Sequence, residues 1–196
     1  MNEGLSAIEE RIYQLAKPYL ATRENDAHTQ RALDFALRLL KTEKGDRSIV
    51  VPAIILHDVG WSQLQEDVML KAWGPEKDES LTVIHEKEGA KIAAGILRQV
   101  GYDSSKVNEI LQIIDGHDTR QDAISLNDEI VKDADKLTRY SKSFWFIVES
   151  FGYAPLEFYN RLATFSKEWF FLPVSREIAG EELRQRRQEI EEVCPT

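Results

Sequence analysis

Four histidines, His28, His57, His85 and His117, are the only imidazoles in the chain, and each lies on or at the end of an apolar helical stripe. His28 shares its stripe with Ala32, Phe35 and Leu39, and His57 follows Ala53 and Ile54 at i−4 and i−3. His85 lines up with Gly89 and Ile92, and His117 with Ile110, Ile113 and Ile114. A single inward histidine is ordinarily a hydrogen-bonded core or boundary residue. Four together ask for more, because every buried imidazole needs a polar partner. A metal ion is one partner that satisfies several at once.

Two carboxylates extend the set. Asp58 adjoins His57, and Asp135 follows Val131 at i−4 in IVKDADKL, an acid on a face that otherwise reads as buried. For Asp135 alone, a satisfied boundary acid is an equally good reading. Neighbours on a helix diverge by about 100°, so His57 and Asp58 do not chelate as an i, i+4 pair does. They face two directions, the histidine toward one metal and the carboxylate toward a second. The dipeptide alone is weak evidence, since His117-Asp118 repeats it.

The elements that must position these groups read as helices throughout. Leu5, Ile8, Ile12 and Leu15 recur at helical steps up to Pro18, and a second pattern runs through Ala32, Phe35, Ala36, Leu39 and Leu40 to Gly45. A third holds Ile49, Val50, Ala53, Ile54 and Leu56, with Asp46 or Ser48 as N-cap and Gly60 as the stop. Residues 61–80, which include Gly74-Pro75, read as a long functional loop. Further helices are expected over 81–99, 104–116, 127–150, 156–170 and 175–193, with Asp103 or Ser104 and Asn127 as caps and Pro173 as a break. Strand signals are almost absent. Without repeats or composition shifts, residues 1–196 read as one all-α domain of about seven or eight helices.

Composition narrows the partners. Lys and Arg total 25 against 34 Asp and Glu, a net charge of −9. That field repels nucleic-acid polymers and anionic membranes, but a bound metal reverses its sign inside one pocket, so small phosphate esters stay admissible. The lone cysteine, Cys194, allows neither an intrachain disulfide nor a thiolate zinc site. The acidic start MNEGLSAIEE has no signal-peptide layout, and no apolar run is long enough to span a membrane, so a cytoplasmic home is expected.

His28, the LHDVG segment with His57-Asp58, then His85, His117 and the DADKL aspartate resemble the HD superfamily of metal-dependent phosphohydrolases, over roughly residues 25–140. FYNRLATFSKEW and the charged last helix, within 155–193, resemble the C-terminal part of small stand-alone bacterial HD proteins. The resemblance implies a helical HD fold with His28, His57, Asp58 and Asp135 on a first metal. His85 and His117 resemble the binuclear subgroup, where they hold a second metal and Asp58 bridges. Asp135 matches the family position before Lys-Leu, and Asp133 does not. Nitrogen and oxygen donors suit Fe, Mn, Co, Ni or Zn. The implied activity is hydrolysis of a small phosphorylated metabolite, a nucleotide above all, by a metal-activated bridging water, with His57 and Asp58 at its centre.

One departure stands out. Many binuclear HD hydrolases carry a lysine directly after the HD-x-Gly segment, and here Trp61 follows Gly60. The substrate phosphate then needs other cations, for which Arg31, Lys91, Lys136 and Arg139 are candidates, with a solvated surface charge as the competing reading for each. Glu86 and Glu88, beside His85, are candidates for supporting or acid–base roles. Two rival functions share these ligands: an HD-type di-iron oxygenase, and a nucleotide-sensing domain that binds without turnover.

Overall fold

A computed structural model describes residues 4–22, 25–65, 78–144, 154–166 and 168–193. Among them are eight α-helices, two 3₁₀ turns and no β-strand. The chain forms two compact units, residues 1–132 and 133–196, and the boundary falls inside a helix.

The first unit is built round its most apolar helix. In α3 (Arg47–Leu56) every residue from Ile49 to Leu56 is buried, as a helix without a polar face must be. Asp46 caps it, accepting a hydrogen bond from the Ser48 amide. Packed against α3 are α1 (Ala7–Leu20), α2 (Asn25–Leu39), α4 (Glu79–Gln99) and α5 (Ser104–Ile114). A capping box of Ser6 and Glu9 starts α1, and Arg47 donates to both oxygens of Glu9, at 3.0 and 2.8 Å. Pro18 does not end α1. It lies in the last turn, where its missing N–H costs one hydrogen bond and the helix runs on to Leu20. Residues 61–63 belong to a 3₁₀ turn (Val59–Gln63) rather than to a loop, while 66–77, with Trp73, lie outside the described residues.

The helix expected over 127–150 is shorter. α6 spans Leu126–Leu137 and passes into a 3₁₀ turn, Thr138–Tyr140; residues 145–150 lie outside the described residues. The Thr138 hydroxyl donates to the Asp135 carbonyl and the Ser141 hydroxyl to the Thr138 carbonyl, bonds that compete with helix continuation. Ser125, not Asn127, caps α6 by accepting from the Asp128 amide. Asn127 instead ties elements together, accepting from the Asp46 amide and donating to Glu109.

In the second unit, α7 (Pro155–Phe165) packs on α8 (Pro173–Val193). Pro173 is the first residue of α8 rather than a break, a position where its missing donor is not needed. Asp133, the aspartate outside the family pattern, is fully buried and accepts from the amides of Phe171 and Leu172, at 3.0 and 2.9 Å. It anchors the segment leading into α8. No described helix is long and apolar enough to cross a membrane.

Asp133→Ala should lower stability by about 2 kcal/mol, since it orphans two buried amides of one turn. Urea unfolding would read this as a lower midpoint at an unchanged m-value.

Candidate metal centre

His57 is the C-cap of α3, and its Nδ1 lies 2.7 Å from the Ile54 carbonyl oxygen. His117 follows α5 in the same way, with Nδ1 2.9 Å from the Ile114 carbonyl. Each ring therefore donates from Nδ1 to the turn before it and presents Nε2 as a bare acceptor. His85 comes from the middle of α4, completely buried, and His28 from the first turn of α2, only partly covered.

Bringing α4 this close to the His57-Asp58 turn depends on Gly60. A β-carbon at Gly60 would lie 1.9 Å from the His85 carbonyl oxygen and 2.5 Å from the Gly89 nitrogen. No side chain fits there, so the turn rests directly on the α4 backbone. Trp61, next in the turn, stacks on the His85 ring at 4.0 Å between centroids and 10° between planes. Its indole N–H donates to Asp58 Oδ1 at 3.0 Å.

The four Nε2 atoms converge on one carboxylate. Asp58 Oδ2 lies 3.4 Å from His28 Nε2 and 3.5 Å from His57 Nε2. Asp58 Oδ1 lies 3.5 Å from His117 Nε2 and 3.7 Å from His85 Nε2. Within the pairs, Nε2 to Nε2 is 3.2 Å for His28–His57 and 3.4 Å for His85–His117. These separations are long for hydrogen bonds to a carboxylate. They match the edges of a coordination shell, which for bonds of about 2.1 Å are about 3.0 Å at an octahedral ion and about 3.4 Å at a tetrahedral one. His57 and His117, committed at Nδ1, would otherwise turn lone pairs on their neighbours. The donor set thus fits a divalent metal.

Without a metal, protons do part of this work. Burial alone would raise the Asp58 carboxyl, but His57, His117 and His28 outweigh it and hold the group well below the carboxylate range. Burial likewise opposes charge on His117, yet Asp118 and Asp58 push it up to about 10. Burial, joined by the charge on His117, moves His85 below the ordinary histidine value. The result is a buried His117–Asp58 ion pair.

Asp118 departs from its reading as a mere repeat. Its Oδ2 lies 3.6 Å from His85 Nε2 and 3.7 Å from His117 Nε2, in a third group of convergent ligand atoms. Glu86 is buried and accepts from the Asp118 amide at 2.8 Å, the Thr119 amide at 2.9 Å and the Thr119 hydroxyl at 2.6 Å. Those bonds overcome burial and keep its carboxyl below the ordinary value. Glu88 is a surface residue, 2.6 Å from Lys91.

The substrate cations named from sequence scatter. Arg31 lies on α2 one turn beyond His28 and is half-buried. Lys91 is spent on the exposed pair with Glu88. In the second unit, Asp135 is buried and pairs with Arg139 at 3.2 Å. Arg139 also stacks over Trp169, while Lys136 donates to the Trp169 carbonyl and sits over the Phe171 ring. Sequence reading missed Trp61 as a support for Asp58; its place after the HD-x-Gly segment was the available signal.

Gly60→Ala forces the new β-carbon against the α4 backbone and should cost about 3 kcal/mol or more, with metal binding weakened along with the contact between the 3₁₀ turn and α4; thermal melts and metal analysis check both. For the metal-stripped protein the sign of the pH dependence is fixed by His117, whose value is raised on folding from 6.5 to about 10. Its stabilising charge is complete below 6.5 and is lost as pH rises through 10. Chelator-treated protein should therefore melt at lower temperature at pH 10 than at pH 7. At pH 7, metal uptake should release a proton into weakly buffered solution.

A solved structure, that of a predicted HD superfamily hydrolase from an uncultured Thermotogales bacterium, is similar over 94% of this chain and 90% of its own. The TM-score is 0.65 at 24% sequence identity, a likeness of fold. Curated proteins show no match to the chain. The HD domain family model matches residues 25–140, the span that carries His28, His57-Asp58, His85, His117 and Asp135, and the chain therefore belongs to the HD domain family.

Proposed function

We propose that this HD domain protein is a metal-dependent phosphohydrolase acting on a small phosphate ester, a nucleotide in the first instance. One observation carries the reading: Asp58 turns Oδ2 to His28 and His57 and Oδ1 to His85 and His117, the disposition of a carboxylate shared by two ions. Among residues 1–132, His28, His57 and Asp58 would hold one ion, and His85, His117 and Asp58 the other. Fe, Mn, Co, Ni and Zn all accept such donors. Bound there, two divalent ions supply Lewis acidity toward phosphoryl oxygens and a water of lowered pKa.

The chain's own groups do the positioning. The Nδ1 contacts of His57 and His117 to backbone carbonyls lock both rings with Nε2 as acceptor. The Trp61 indole fixes Asp58 Oδ1, so the shared carboxylate does not swing toward one side. Arg31, one turn beyond His28, serves in this reading as the cation for the substrate phosphate. The net charge of −9 favours a small ester over a polyanion.

Under strict anaerobiosis with Mn²⁺, the protein should release phosphate or pyrophosphate from members of a nucleotide and sugar-phosphate panel. Asp58→Ala should lower kcat/KM on the order of 10³-fold or more. Dioxygen uptake in step with product and strict dependence on iron would replace this reading with an oxygenase. Thermal stabilisation by nucleotides without turnover would replace it with a sensing domain.

A further inference from the structure

We propose that Asp118 is a ligand of the second metal position, beside His85, His117 and Asp58, and that Glu86 is the positioning residue that holds it there. The inference rests on the two-metal reading above and adds a ligand that the family motif does not name.

Three observations support it. Asp118 Oδ2 is nearly equidistant from the two Nε2 atoms of this position, at 3.6 and 3.7 Å, the same spacing that Asp58 Oδ1 keeps on the other side. Those distances exceed a charge-assisted N–H···O bond, which is about 2.8 Å, and suit atoms that share an ion. A surface acid merely attracted to a histidine would close on one ring; Asp118 straddles both.

The main chain carrying Asp118 is held by two buried charges of opposite sign. Lys132 Nζ donates to the carbonyls of Gly116, His117 and Arg120. The Glu86 carboxylate takes the amides of Asp118 and Thr119 and the Thr119 hydroxyl. Both side chains are only 2% exposed. Gly116 enters this turn at φ +143°, a conformation that glycine adopts readily.

Glu86 also follows His85 directly on α4. One rigid helix therefore presents a ligand and, with the next residue, fixes the turn that brings His117 and Asp118. The spacing between the three donors is set by that helix. A divalent ion at this position meets two imidazoles and two carboxylates, a hard nitrogen–oxygen set that suits Mn, Fe or Co.

The test uses full-length, chelator-treated protein and the metal alone. Equilibrium dialysis against Mn²⁺ should give two equivalents for the wild type. Asp118→Asn should keep one tight ion and bind the other about tenfold or more weakly. Glu86→Gln should weaken the same ion, and should add nothing in the Asp118→Asn background, because it acts through Asp118. Co²⁺ absorption should change alike in the two single variants, a signature that a general loss of packing would not reproduce. Two ions bound by Asp118→Asn within twofold of wild-type affinity would overturn the inference while leaving the two-metal reading intact. Fewer than two ions in the wild type would overturn the reading it rests on.

Discussion

A single carboxylate, Asp58, only 7% exposed, faces the Nε2 atoms of four imidazoles at 3.4 to 3.7 Å. Electrostatics leaves such a cluster few options. The His57 and His117 rings, their Nδ1 atoms committed to backbone carbonyls, when neutral turn Nε2 lone pairs toward their neighbours and toward an anion, which a low-dielectric interior penalises. A cation beside Asp58 relieves this. The proton on His117 is the minimal answer, and in the proposed reading divalent ions beside Asp58 would be the answer that uses more of the donors. The surrounding unit can be read as the framework that holds this otherwise repulsive set together.

That framework spends local stability on precision. His57 caps α3 and His117 lies in the turn just after α5, and in each case a carbonyl at the end of the helix lies against the ring Nδ1. α3 reaches the centre with no polar face at all, so its register is set by packing on every side. Gly60 gives up side-chain burial to let the turn touch the α4 backbone. Trp61 restores much of that loss by covering His85 and bonding Asp58. A buried ring over a buried histidine also keeps water from competing for the ligand atoms.

What could be read from the residues alone follows from which interactions are local. The four histidines on apolar stripes, the helical period and the Asp46 and Asp103 caps are encoded within a few residues, and the structure reproduces them. Exact helix ends were less legible. α6 stops at Leu137, where the Thr138 and Ser141 hydroxyls bond back to carbonyls three residues earlier, and the segment before α8 is held by Asp133, 38 positions away from Phe171. The same holds at the site. Glu86 bonds across 32 residues, so adjacency to His85 marked it only as a candidate. Lys91 and Lys136 read as available cations, and non-local or i, i+3 contacts occupy both.

The neutral indole of Trp61, at a position where many binuclear HD hydrolases carry a lysine, raises the question of what would attract the phosphate of the proposed substrate. Charge counting over the ligands of residues 1–132 gives an answer. On the two-metal reading proposed above, two divalent ions would bring four positive charges against the two negative charges of Asp58 and Asp118, an excess of about +2 among these ligands in a site of low dielectric. That excess acts on a phosphate at contact range, whereas the protein's −9 is spread over its surface and screened by salt beyond about 10 Å. A lysine at position 61 would add to a field that is already favourable. A tryptophan there instead spends the position on orienting Asp58, and in the proposed reading bound metals would join Arg31 in attracting the phosphate.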